Sequence, residues 1–208
     1  MTEADAIGVC GKIRPVDNPA TLLFIAAGVA VVIAVALPLA WYNKLVRLRQ
    51  LIRESWGNVD VQLRRRYDLI PNLVNTVKGY AAHEKETLER VVEVRNRARA
   101  NTGAVGSQSD DERRLVDATR QLFAVIENYP QLKASANFLA LQRELVDTED
   151  RIAAARRFYN ANVRDYTVTR TTFPTMLVAG FGDFPPVDYF EVDDHTIRAA
   201  PVVSMAPG

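Results

Sequence analysis

His83 and Glu84 stand side by side like the start of a zinc-protease motif, in which a second histidine follows one helical turn later. Position 87 is Thr87, so that ligand is missing. The chain holds 2 histidines in all, and the other, His195, falls near the C-terminus. A di-iron bundle would need Glu-x-x-His pairs on two helices, and the sequence contains no such pair. His83 therefore reads as a surface or boundary residue, and no metal or other cofactor is expected. Nucleophilic chemistry has no better footing. Cys10 is the single cysteine and lies in the N-terminal tail, where it can form no internal disulfide. No Gly-x-Ser-x-Gly turn, Walker loop or Gly-x-Gly-x-x-Gly run occurs. Glu144, Asp147, Glu149 and Asp150 alternate with Arg143, Arg151, Arg156 and Arg157, a pattern that predicts solvated pairs along a helix rather than paired acid and base catalysts. The favoured reading is non-enzymatic. Its alternative is a membrane-surface enzyme using His83 and Glu84 in a pocket between helices.

Binding by charge is more legible. Formal net charge is +1, so no global field recruits nucleic acid. Bases nevertheless concentrate between Tyr42 and Arg66, where Lys44, Arg47, Arg49, Arg53, Arg64, Arg65 and Arg66 face only Glu54 and Asp60. Lys44, Arg47 and Arg49 are candidate lipid contacts, each worth about 1 kcal/mol beside an anionic leaflet. The Arg64–Arg66 triplet would stand roughly 35 Å out from the membrane on a straight helix. That exceeds a Debye length several-fold. The triplet, together with Asn72 and Asn75, is therefore assigned to a helix surface or a protein partner.

The elements that must position these residues begin with Thr21–Ala40, an uncharged stretch. At ~1.5 Å per residue it spans ~30 Å, the thickness of a bilayer's hydrocarbon core. It ends in Trp41 and Tyr42, an interfacial aromatic pair rather than a cleavage site, and acidic and basic residues precede it. A retained anchor is predicted. The excess of Lys and Arg after the span places the N-terminus outside and the following domain in the cytoplasm.

Beyond the anchor, Leu45, Leu48, Ile52, Trp56, Val59, Leu63, Tyr67 and Ile70 recur at helical spacing. The first helix should continue from the span without a loop. Pro71 predicts a turn or kink at Asp68–Asn72, with Asp68 capping a second helix that carries Leu73, Val77, Leu88, Val91 and Ala98. Ser109 to Glu112 has the form of a capping box and predicts the start of a third helix, which Pro130 ends. Phe138, Leu141, Leu145, Thr148, Ile152, Ala155, Tyr159, Asn162 and Tyr166 alternate by three and four, a coiled-coil-like seam in a fourth helix. That seam can be satisfied within one chain or across a homo-oligomer. After Thr172, aromatic residues interleaved with Pro and Gly predict an irregular strap folded over the helices. The expected fold is thus all-α: a tail (1–20), a single transmembrane helix (21–41), an antiparallel four-helix bundle (42–171), and an irregular C-terminal strap and tail (172–208).

Two long strings carry a family resemblance. YNKLVRLRQLIRESWGNVDVQLRRRYDLIPNLVNTVKGYAAHEKETLE, from Tyr42 to Glu89, resembles the LemA family signature. So does ENYPQLKASANFLALQRELVDTEDRIAAARRFYNANVRDY, from Glu127 to Tyr166, followed by Phe173-Pro174. The resemblance covers Tyr42 to about Phe190. It implies a bacterial inner-membrane protein with one N-terminal span and a helical-bundle domain, with no catalytic residues to carry over. A magnetosome-associated relative implies membrane organisation as one use of the fold, and a membrane-bound protease is an implied partner theme. The residues ahead of the span and the tail after Glu191 depart from the family pattern.

Overall fold

The computed structural model of the protein describes residues 19–192. Cys10, His195 and the outer parts of both tails lie outside them. Among the described residues the chain is all helical and forms no strand. Helix α1 runs unbroken from Pro19 to Lys78, 60 residues and therefore about 90 Å long. The first part of α1 carries the apolar stretch, none of it buried against protein, and is long and apolar enough to cross a membrane. The later part buries Leu45, Ile52, Val59, Leu63, Tyr67, Ile70, Leu73 and Val77, so one helix serves as both candidate span and core element.

The turn or kink expected at Asp68–Asn72 does not form as a break. Pro71 has no N–H for the carbonyl of Tyr67, one turn earlier, and its ring pushes that carbonyl outward. The guanidinium of Arg95 supplies the missing donor, with Nε 2.7 Å from the Tyr67 oxygen. α1 continues for two more turns, and the chain reverses instead at Gly79–Glu84. Leu73 and Val77 belong to α1, and α2 is confined to Lys85–Ala100.

Helix α3 (Val105–Ile126) also starts before its expected position. Ser109 and Glu112 are buried inside it and no capping box forms. A single turn, α4 (Pro130–Lys133), leads to α5 (Ala136–Thr171). Helices α1 and α2 pack together as antiparallel neighbours, as do α2 and α3. Helix α5 returns antiparallel along α1, with Glu149 meeting Arg66 and Tyr159 meeting Trp56. On α5 the seam is buried at Phe138, Leu145, Thr148, Ile152, Tyr159 and Tyr166, while Leu141, Ala155 and Asn162 are half-buried and Val163 is buried beside them. Thr148 does not reach across to a neighbouring helix. Its hydroxyl donates to the Glu144 carbonyl of its own helix at 2.7 Å.

After α5 the chain turns through the cis Phe173–Pro174 bond into a short helix, α6 (Thr175–Phe181), which the expectation of a wholly irregular segment did not include. Residues 182–192 then form the strap, which runs back along α5 with no regular structure. Side chains of α5 hold its backbone in sequence. Arg170 donates to the Phe184 carbonyl, Tyr166 to Pro185, Tyr159 to Asp188 and Arg156 to Val192. Asn160 both donates to the Phe190 carbonyl and accepts from its N–H. Phe184 and Phe190 are buried, the latter edge-on to Trp56.

Candidate functional site

Arg66 is the point at which the long helices of the domain converge. It follows Leu63 by three residues and precedes Ile70 by four, which places it on the buried stripe of α1. Its Nη1 donates to both carboxylate oxygens of Glu149 on α5, at 3.0 and 3.1 Å, and its Nη2 donates to Glu112 on α3. Glu112 is fully buried. It also accepts hydrogen bonds from the Tyr67 phenol and from Gln108 Nε2, the latter at 2.8 Å. Gln108 Nε2 in turn lies 3.2 Å from the Ala98 carbonyl at the end of α2. One buried base, one buried acid, one half-exposed acid and the Gln108 amide therefore tie four helices together. Taking such charges out of water is costly, and their pairing compensates only while every partner is present. Burial pushes the Tyr67 phenol up to about 12, which keeps it a neutral donor to Glu112.

The two larger recesses that flank this network differ in character. On the Tyr67–Gln108 side is a polar cavity of about 520 Å³ bordered by Trp56, Asp60, Arg64, Asp68 and Arg99. Its charges are matched, with Arg64 2.8 Å from Asp60 and Arg99 3.8 Å from Asp68. On the opposite side, a groove of about 420 Å³ between α3 and α5 is lined by Val116, Phe123, Leu145 and Val146, and Arg66 and Glu149 also border it. The network thus separates a polar cavity from a largely apolar groove.

The sequence-predicted contacts fall in several places. Lys44 and Arg47 are exposed just beyond the apolar stretch. Arg49 is half-buried and faces the strap: it donates to the Asp183 carbonyl at 2.9 Å and lies 5.6 Å from the centre of the Phe184 ring. Arg64 and Arg65 are exposed, but Arg66 is not part of their surface, because its helical position turns it inward. Asn72 and Asn75 are exposed on α1, one turn apart. His83 is exposed in the α1–α2 turn and borders none of the recesses described above. Glu84 is half-buried and accepts a hydrogen bond from the Tyr129 phenol at 3.2 Å, which connects the start of α2 to the α3–α4 junction. Glu149 joins Arg66 rather than a neighbouring arginine on its own helix.

Glu112, Gln108 and Tyr67 were not legible as a site from motif reading. Their signal lay in periodicity: Gln108, Glu112, Leu115 and Leu122 share one face of α3, so two polar residues continue an apolar stripe. The capping-box pattern at Ser109–Glu112 masked it.

Residues 55–205 match the LemA family. The chain is 26% identical over 198 residues to a magnetosome protein, MamQ, of Magnetospirillum gryphiswaldense, covering 83% of this chain and 73% of that one. It is 26% identical over 199 residues to MamQ 1 of Paramagnetospirillum magneticum, covering 84% and 73%. Protein LemA of Metamycoplasma hominis is 27% identical over 153 residues, covering 73% of this chain and 69% of that one.

Proposed function

The chain belongs to the LemA family, and we propose that it is a membrane-anchored, non-enzymatic helical scaffold that presents its domain to another protein. The observation that carries this reading is the continuity of α1. The apolar stretch and the core stripe lie on one helix of 60 residues, with no linker between them. A domain built in this way stands at a fixed distance along α1 from the bilayer, a property useful to an adaptor. The proposed anchor is Thr21–Ala40 in a bacterial inner membrane, with Lys44 and Arg47 against lipid headgroups. The charge bias puts the domain in the cytoplasm.

The proposed partner surface is Arg64, Arg65, Asn72 and Asn75, all exposed on α1. A membrane-bound protease is the partner that the family resemblance suggests. The magnetosome name of two relatives supports a part in organising a membrane or its proteins.

A photo-crosslinking side chain at Arg65 tests the assignment in cells, with the buried position of Arg66 avoided and exposed Gln121 as a distant control. A discrete adduct at position 65 that is absent at position 121 is expected. Identical patterns at the two positions would remove the surface assignment.

A further inference from the structure

The short helix α6 leaves an apolar face uncovered. Thr175 is buried, Val178 and Ala179 are half-buried, and these three turn toward the core. The other face carries Met176 at 48% exposure, Leu177 at 52% and Phe181 at 96%, with Phe173 just ahead of the helix at 71%. At 3.6 residues per turn, positions 176, 177, 180 and 181 share one side of α6, opposite 175, 178 and 179, and Phe173 precedes the helix. From Thr171 to Gly182 there is no charged residue. Elsewhere on α3 and the middle of α5, exposed apolar side chains do not gather in this way around a helix without charge.

What faces this patch follows from its level along α1. Helix α6 packs on both α1 and α5. Just after it, the Phe184 ring meets the Tyr42 ring edge-on at 5.4 Å, and the Asp183 carbonyl accepts from Arg49. Tyr42 stands just past Ala40, where the apolar stretch ends, and Arg49 lies about 10 Å farther along the helix. The headgroup layer itself extends about 5–8 Å beyond the hydrocarbon core on each side. The exposed apolar face therefore sits at the height of the membrane interface, continuous with the surface through which α1 would leave the bilayer. Exposed Lys44 and Arg47 supply positive charge at the same level.

We propose that α6 is a second membrane contact, with Phe173, Met176, Leu177 and Phe181 inserted at the headgroup–acyl boundary of the leaflet from which α1 emerges. Interfacial helices bury their apolar face to that depth. Two attachments fix the rotation and tilt of the domain about α1, which one helix through a fluid bilayer does not. The inference rests on the reading of Thr21–Ala40 as the anchor, and the test separates the two.

The full-length chain with Cys10→Ser is labelled with an environment-sensitive fluorophore at Leu177→Cys. It is reconstituted in vesicles of phosphatidylethanolamine and phosphatidylglycerol containing lipid spin-labelled near the carbonyl to report on position 177, or deep in the acyl chain to report on position 31. Both are used at position 121. Val31→Cys reports on the span and Gln121→Cys on the far side of the domain. Quenching at position 177 severalfold above position 121 and comparable with position 31 is expected. Adding Phe181→Asp should reduce it, with helicity unchanged because Phe181 makes little contact with the fold. Quenching at 31 with position 177 no different from 121 would overturn the second contact alone. Blue-shifted emission at 177 without lipid quenching would assign the face to another protein copy and also overturn it. No quenching at 31 would overturn the anchor and this inference together.

Discussion

Arg66 contributes to the fold through the penalty its absence would leave. With the guanidinium removed, Glu112 remains buried with a charge and no counterion, a situation that costs roughly 3–5 kcal/mol. Arg66→Met should therefore cause a large loss of stability in detergent-solubilised protein, followed by the far-UV signal in denaturant. Arg66→Met with Glu112→Gln should recover part of the loss, because the amide keeps its acceptor oxygen for Tyr67 and Gln108 but carries no charge. Arg64→Ala, two positions away, should cost less than about 1 kcal/mol, since its pair with Asp60 is solvated. Equal losses at positions 64 and 66 would contradict the inward placement. The tyrosines give an independent reading. Burial raises the phenols of Tyr67 and Tyr159 to about 12, above their ordinary 10.0. A folded value above the unfolded one means that their contribution is complete below pH 10 and is lost as the pH rises toward 12. Phenolate absorbance should show a late component that appears together with alkaline unfolding and shrinks in Tyr67→Phe and Tyr159→Phe. Complete ionisation near pH 10 with helicity intact would contradict it.

At the scale of elements, α1 crosses Pro71 without stopping, and a neighbouring helix supplies the donor that the Tyr67 carbonyl lacks there. Arg95→Met should leave the Tyr67 carbonyl without its partner, at a cost of about 1–3 kcal/mol. Adding Pro71→Ala should restore stability, since alanine has the backbone N–H that completes the ladder. Failure of the second substitution to rescue the first, measured by denaturation, would mean that Arg95 acts in some other way. The same junction shows where sequence reading stops. The spacing from Leu45 to Ile70 was sufficient to identify the first helix and its continuity with the apolar stretch. The partner of the carbonyl that Pro71 leaves free is Arg95, a residue distant in sequence whose approach no local pattern encodes. Glu112 was misread for a related reason: Ser109–Glu112 satisfies a local capping rule, but burial of Arg66 imposes a stronger demand. The strap was visible in its aromatics and prolines. Helix α6 within it was not, because a seven-residue helix held by packing leaves too short a period to recognise.

For the molecule as a whole, the core of the domain is continuous with its proposed anchor. About 35 Å separates Arg65 from the interface along α1, so a partner engaging that surface is met well clear of the headgroups. The strap locks α5 onto the membrane-proximal half of α1 through Phe184 and Phe190. The proposed scaffold draws on the rigidity of this arrangement, which has value only if α1 crosses the bilayer once with the domain on a single side. The direct measurement is labelling by a membrane-impermeant thiol reagent in intact and permeabilised cells, comparing native Cys10 with Ser107→Cys in a Cys10→Ser background. Opposite accessibility is expected, with Cys10 labelled in intact cells and position 107 protected until permeabilisation. Identical accessibility at the two positions would contradict a single crossing and with it the proposed scaffold.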